Sequence, residues 1–357
     1  MSTEYYLWGA GTYGGRLIEF MRNDLTFKAV IDSDPLKQGK DFHGLPVLSY
    51  DEARNEMPEA KIVISLVQPY EIRKFLLSEG FAENQDFYLI MDFLPIFYKA
   101  KGKLVSFHAN LIATTKCTLK CEACQTYIPR AKNHVNRSAA EMIKDIDLMF
   151  SYVDSFLTIN FACGESLLNI ELPEVCRYIY ENYSDRYLNV GIVTNGTIIP
   201  SDDVMRVLSE SKVILSISEY VEHKITRKRL IEKCKEFSVN WFENTSCDQG
   251  NWYDFGDPNK ISMTNPDNLK NRFTECWIPC ACIYDGWLYL CAVQAWSHAV
   301  VGAGTREPGD AFDLTLPKTE KNSKDAYRIL SRQPELGYIS HCMRCNGTIP
   351  ILECKGK

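Results

Sequence analysis

The run Cys117-Thr-Leu-Lys-Cys121-Glu-Ala-Cys124 places three thiols within one short stretch. Three thiolates at this spacing can hold a 4Fe–4S cluster and leave its fourth iron open to a further ligand. Zinc is the competing use, and it needs a fourth ligand to close its tetrahedron. His108 and His134 are the histidines nearest in sequence, and they read as a strand residue and a loop residue. The spacing around the run predicts a strand over 104–114 that leads directly into the cysteines. Beyond it come a helix over 139–152, a strand over 157–161 and a helix over 173–183 with Pro173 in its first turn. A strand over 188–194, a helix over 202–211, a strand over 212–218, a helix over 226–237 and a strand over 239–243 follow. Regular alternation of strand and helix demands a parallel sheet with helical crossovers. Ligands of such sheets sit at the carboxyl ends of the strands, where the motif residues fall.

Two further motifs follow the second and third of these strands: Cys163-Gly164-Glu165-Ser166-Leu167-Leu168 and Val193-Thr194-Asn195-Gly196-Thr197. Over residues 104–245 the three motifs, in this order and spacing, resemble the radical S-adenosylmethionine superfamily. The resemblance implies a partial (β/α)6 barrel, a 4Fe–4S cluster on Cys117, Cys121 and Cys124, and S-adenosylmethionine on the open iron. Its implied chemistry is reductive cleavage to a 5′-deoxyadenosyl radical, which abstracts hydrogen from substrate; an electron donor such as flavodoxin or ferredoxin is implied with it. Gly164, Glu165, Asn195, Ser216 and Ser218 are then the cofactor-binding candidates. Glu165 would accept the methionine ammonium, and Ser216 and Ser218, alternating on one strand face, would meet the ribose. The chain departs from the family pattern twice, with Cys163 where glycine is usual and Ala123 where an aromatic residue is usual. Tyr127 is the nearest aromatic that could replace the latter in stacking on adenine.

The C-terminal part carries a second set, Cys276-x9-Gly286-x4-Cys291 and then Cys342-Met-Arg-Cys345. Residues 283–290 read as a β-hairpin with an Asp285-Gly286 turn, which would bring the flanking cysteines together. Residues 276–345 resemble the twitch domain, a shortened form of the SPASM auxiliary-cluster domain. That resemblance implies one auxiliary 4Fe–4S cluster on Cys276, Cys291, Cys342 and Cys345. Cys280 and Cys282 compete with Cys276 for the first ligand position, Cys354 could add a ligand, and zinc on four cysteines is the structural alternative. An auxiliary cluster favours net oxidation of an alcohol. Quenching by a thiol would give epimerisation instead, with Cys247 as the candidate hydrogen donor.

At the N-terminus an apolar strand over 4–8 runs into Gly9-Ala10-Gly11-Thr12-Tyr13-Gly14 and a helical pattern over 16–21. A second strand over 27–31 ends near Asp32. This is a small Rossmann-like unit, with Gly9, Gly11 and Gly14 at the phosphate position and Asp32 at the ribose position. With Gly44-Leu-Pro-Val-Leu it also resembles the N-terminal domain of bacterial sugar acyltransferases, which grips a nucleotide-sugar.

The 357 residues therefore divide into an expected Rossmann-like domain over 1–100, a radical S-adenosylmethionine barrel over 101–270 and a twitch-like domain over 271–357. A net charge of −6 without a basic cluster argues against nucleic acid as a partner. The start Met-Ser-Thr-Glu and the lack of a long apolar run predict a cytoplasmic protein with no membrane partner. In that compartment 14 cysteines are metal ligands or redox groups before they are disulfides. The expected function is dehydrogenation or epimerisation of a carbohydrate or nucleotide-sugar; the alternative is a peptide- or protein-modifying maturase of the same superfamily.

Overall fold

The structure is a computed structural model that describes residues 3–54, 61–66, 69–244, 252–276, 281–303, 306–307, 309–347 and 350–351. The chain folds as two units: Met1–Phe107 with Ser155–Leu157 and Tyr183–Asn189, and His108–Asp154 with Thr158–Asn182 and Val190–Lys357. Among the described residues no helix is long and apolar enough to cross a membrane.

The first unit contains β1 (Glu4–Trp8), α1 (Thr12–Met21), β2 (Thr26–Ile31), β3 (Asp41–Phe42), β4 (Leu45–Leu48), α2 (Tyr50–Arg54), β5 (Lys61–Ile64), α3 (Tyr70–Ser78), β6 (Phe87–Leu89) and α4 (Ile90–Ala100). Its sheet order is β3-β4-β2-β1-β5-β6, parallel except for the β3–β4 pair. Apolar residues run consecutively along the central strands because both faces are covered. Tyr6, Trp8, Ile62 and Ile64 enter one core cluster, and Leu7 and Val63 the other. The strand order turns outward in both directions from β1, so the glycine turn after β1 lies at the topological switch point of a Rossmann-like sheet.

The second architecture is built from β7 (Val105–Leu111), α5 (Ala139–Tyr152), β8 (Ser155–Phe161), α6 (Leu172–Tyr183), β9 (Tyr187–Thr194), α7 (Asp202–Glu210), β10 (Ile214–Ser218), α8 (Lys224–Glu236) and β11 (Asn240–Asn244). There follow β12 (Trp252–Tyr253), α9 (Pro266–Glu275), β13 (Ala281–Tyr284), β14 (Trp287–Tyr289), α10 (Ala292–Trp296), β15 (Ala311–Asp313), α11 (Glu320–Leu330) and β16 (Pro350–Ile351). The strand order β11-β10-β9-β8-β7 adds each new strand beside the last. Same-handed crossovers then lay the helices on one face, the arrangement of a partial βα barrel. Next to β7 comes β13, also parallel to it, and β14 and β15 complete the sheet as an antiparallel extension. The C-terminal hairpin thus continues the sheet of the barrel strands.

One buried clamp fixes that extension. Arg137 and Asp145 form an ion pair at 2.8 Å with both side chains almost fully buried. The Asp145 carboxylate also accepts from the backbone N–H groups of Asp285 at 2.9 Å and Gly286 at 2.7 Å. The sequence places Asp145 on the inward face of α5, a helix opened by a Ser138–Glu141 capping box.

Candidate active site: two cysteine groups and a neutral cavity

Three strand ends converge on the first cysteine loop. After β8 the chain turns at Gly164, whose φ is +58°, and a Cβ there would lie 2.3 Å from the Lys116 carbonyl oxygen. Only glycine permits that approach. The next residue continues it, with the Glu165 N–H donating to the same carbonyl at 2.7 Å. The Glu165 side chain is fully buried. Its carboxylate accepts from Leu167 N at 3.1 Å, Asn195 N at 2.7 Å and Thr194 Oγ1 at 3.0 Å. Burial pushes its pKa up to about 7, against the opposing pull of these donors. Glu165 therefore stitches the end of β8 to the end of β9, while Gly164 lines the cavity beside it.

Polar groups surround the sulfurs of this loop. Leu119 N lies 3.4 Å and Asn195 Nδ2 3.5 Å from Cys117 Sγ, and the same Asn195 amide donates to Thr118 Oγ1 at 3.0 Å. Cys121 Sγ is 3.8 Å from Tyr220 Oη, and Cys124 Sγ is 3.4 Å from Thr126 Oγ1. Burial raises the Cys117 thiol to about 11 and also raises Cys124. Such thiols lose their protons to a metal rather than to water. Among the described residues no three His, Cys, Asp or Glu side chains are drawn together to hold a single metal ion. The donor set, three sulfurs with N–H groups aimed at Cys117 and Cys124, fits an iron–sulfur cluster.

The three thiols open on a cavity of about 360 Å³. Asn195 and Ser218 line it; Ser216 is buried and does not. The described lining carries no Asp, Glu, Lys or Arg. Its polar wall includes His108, Asn110 and Asn160, with His108 Nε2 3.2 Å from both Asn110 Oδ1 and Asn160 Nδ2. Burial lowers the His108 pKa, so the ring is neutral at neutral pH. Tyr253, Phe255 and Trp296 supply an aromatic wall, and the Trp296 indole donates to Ala162 O at 3.0 Å. Sequence reasoning set His108 aside and missed these partners. The available signal was two polar residues two apart on the strand that feeds the cysteines. Cys163 also faces the cavity, buried and with a strongly raised pKa.

The second cysteine group gathers from three segments. Cys276 caps the C-terminus of α9, Cys291 the N-terminus of α10, and Cys342 and Cys345 lie in and after a short 3₁₀ turn, Ser340–Met343. The Cys291 thiol lies within electrostatic reach of the other three. Burial raises Cys342 to about 12 and Cys345 to about 11. Gly347 N donates to Cys345 Sγ at 3.2 Å, and Gln294 N donates to Cys291. Arg272 donates to the carbonyls of Cys342 (3.2 Å) and Cys345, and Arg332 to that of Cys276 at 3.0 Å. Four partly buried thiols, three of them with backbone N–H donors, again suit an iron–sulfur group. Cys282, fully buried on β13, belongs to the apolar core instead. Cys247, Cys280 and Cys354 lie outside the described residues.

In the first unit Gly9 and Gly11 form the turn between β1 and α1, and Gly14 lies in the first turn of α1. Asp32 accepts from Ala10 N at 2.8 Å and Asp34 N at 2.9 Å and pairs with Lys37 at 3.0 Å. Burial opposes its ionisation, but these donors outweigh burial and hold its pKa below the usual value.

The family model described as a CoA binding domain matches residues 2–78. No curated protein matches the chain. Among solved structures, BtrN in complex with AdoMet and 2-DOIA is 17% identical, over 68% of this chain and 93% of its own, with a TM-score of 0.42. Native anSMEcpe with bound AdoMet and Cp18Cys peptide is 18% identical, over 39% of this chain and 42% of its own, with a TM-score of 0.31. The chain thus spans less than half the length of that protein. A UDP-D-quinovosamine 4-dehydrogenase from Vibrio fischeri is 16% identical, over 22% of this chain and 71% of its own, with a TM-score of 0.20.

Proposed function

We propose that this chain is a radical S-adenosylmethionine enzyme that abstracts hydrogen from a neutral, hydroxyl-rich substrate of the carbohydrate class. The observation that carries the reading is the placement of Cys117, Cys121 and Cys124 on one wall of a cavity whose other polar walls are amides, hydroxyls and a neutral imidazole. A cluster on these thiols, with S-adenosylmethionine, supplies hydrogen abstraction at an unactivated carbon. The protein holds the reactants and excludes water. Gly164, Asn195 and Ser218 line the cavity next to the cysteines and are the contacts we assign to the cofactor. Glu165 positions them by joining the ends of β8 and β9.

Neutral hydrogen-bonding groups opposed by aromatic faces recognise sugar hydroxyls and the C–H face of the ring, whereas a phosphate or charged peptide would call for a counter-charge. His108, Asn110 and Asn160 form that hydroxyl-binding wall. In the first unit the glycine turn and the CoA-binding match support a site for a nucleoside diphosphate, the group that CoA and nucleotide-sugars share. The second cysteine group is assigned one auxiliary cluster, which favours net oxidation.

The test is anaerobic reconstitution followed by 5′-deoxyadenosine assay with free sugars, nucleotide-sugars and short peptides. A sugar or nucleotide-sugar should stimulate its formation, and Cys117→Ala should reduce it to background with loss of iron. Stimulation by peptides alone would favour a maturase. A wild-type protein that binds only zinc would end the reading.

A further inference from the structure

The sulfurs of the first loop meet two kinds of neighbour. Cys117 and Cys124 face N–H groups, whereas Cys121 Sγ lies 3.8 Å from the phenolic oxygen of Tyr220, a gap that a hydrogen bond to sulfur spans. A free thiol can be the donor across that gap. A cysteine bound to iron has given up its proton and only accepts, which leaves the Tyr220 hydroxyl as the group with a hydrogen to give.

The fold holds this phenol in place from several sides. Tyr220 follows β10 and is 6% exposed, in a small apolar cluster with Leu119 and Cys121 against which Cys117 and Cys124 also pack. It lines the cavity, which Tyr127, the aromatic that follows the loop in sequence, does not. Its backbone is tied to the neighbouring strand end: Glu219 N donates to Asn244 O at 3.0 Å, and Tyr220 N to Ser218 O at 3.2 Å. Arg227, itself buried, donates to Tyr220 O at 3.4 Å while pairing with Glu219 at 2.9 Å and Glu243 at 3.1 Å. One guanidinium thus fastens the residue that carries the phenol to the ends of β10 and β11.

We propose that the Tyr220 hydroxyl donates a hydrogen bond to the Cys121 sulfur and so raises the reduction potential of the iron–sulfur group on the first loop. The inference rests on reading Cys117, Cys121 and Cys124 as a cluster site. Reduction adds negative charge that spreads onto the ligating sulfurs, so a donor beside one of them stabilises the reduced form more than the oxidised one. Tyr220 is therefore a positioning residue that acts through the cluster ligand it touches.

Tyr220→Phe keeps the ring and removes the donor. Wild type and variant are reconstituted anaerobically, iron and sulfide are counted, and midpoint potentials are read by EPR-monitored titration. The signal that changes on adding S-adenosylmethionine marks the first group. The expected result is full iron content with the reduced-to-oxidised ratio at a fixed potential down about fivefold, which is about 40 mV for a one-electron couple. Fluorotyrosine at position 220 alone, a stronger donor of nearly the same shape, should move the potential upward, and it decides the matter where Phe costs iron. Tyr152→Phe is the control: it removes a hydroxyl that donates to Leu316 O at 2.7 Å, and the potential should not move. A full cluster whose potential ignores both Tyr220 changes overturns this proposal alone. An iron content that Cys121→Ala leaves unchanged overturns it together with the cluster reading.

Discussion

The two cysteine groups are assembled by opposite means. The first takes three thiols from one loop, and the ends of β7, β8 and β9 set its position through the Lys116 carbonyl, the close turn at Gly164 and the buried Glu165 carboxylate. The second takes four thiols from three segments, and side-chain clamps hold those segments: Arg272, Arg332 and the Arg137–Asp145 pair behind the hairpin. One group opens on a neutral cavity, and the other sits among carbonyls gripped by arginines. A local set is placed by strand ends and one buried carboxylate; a dispersed set needs a separate clamp on each segment, and its weak points lie far from its sulfurs.

Asp145→Asn tests this contrast most severely. It leaves Arg137 buried without its counter-charge and weakens the anchor of the Asp285-Gly286 turn, a loss of about 3–5 kcal/mol. Urea unfolding should register that loss, and iron at the second group should fall while 5′-deoxyadenosine formation persists. If cleavage falls in step with second-group iron, the two groups are not built independently.

Glu165→Gln probes the first group through pH. The Glu165 pKa rises on folding from its ordinary 4.5 to about 7, so the folded state prefers the neutral form. Its contribution to stability is complete below pH 4.5 and is lost as pH rises through 7. The apo protein should lose up to about 3 kcal/mol between pH 5 and 8 from this group. Gln should flatten that slope, and an unchanged slope would assign it to other groups.

The smallest effect belongs to the hairpin turn. Asp285 and Gly286 have φ of 54° and 75°, the paired positive values of a type I′ turn. Gly286→Ala would bring a Cβ to 3.1 Å from Thr315 Cγ2 and should cost about 1 kcal/mol, visible as a small fall in melting temperature with second-group iron retained.

Much of this scaffold is legible in sequence because periodicity and turn chemistry are local. Helix α5 begins and ends where its apolar spacing says, and the Asp-Gly pair marks the β13–β14 turn. The cysteine spacing is local in the same way. Long-range partners are not. Nothing in the residues around Asp145 announces that its carboxylate caps a turn 140 positions later. Asp32 and Glu165 stand out as acids beside glycine motifs, yet the sequence does not show that backbone N–H groups of the fold itself engage both. Competition among Cys276, Cys280 and Cys282 is also undecidable from spacing, because one residue of strand register sends Cys282 into the core. The cavity wall of His108, Asn110 and Asn160 hides for a related reason: a polar residue on a strand shows its role only when the neighbouring strand supplies its partner.

The pairing of β13 with β7 carries a consequence for biosynthesis. Ala281 bonds beside Ala109, partners roughly 170 residues apart in sequence. On the ribosome β7 emerges early and keeps a raw hydrogen-bonding edge until nearly four-fifths of the chain has been made, at about 5–20 residues per second. A nascent chain stalled before the hairpin would present that open flank to other chains, so the length of its exposure is set by the arrival of one late strand.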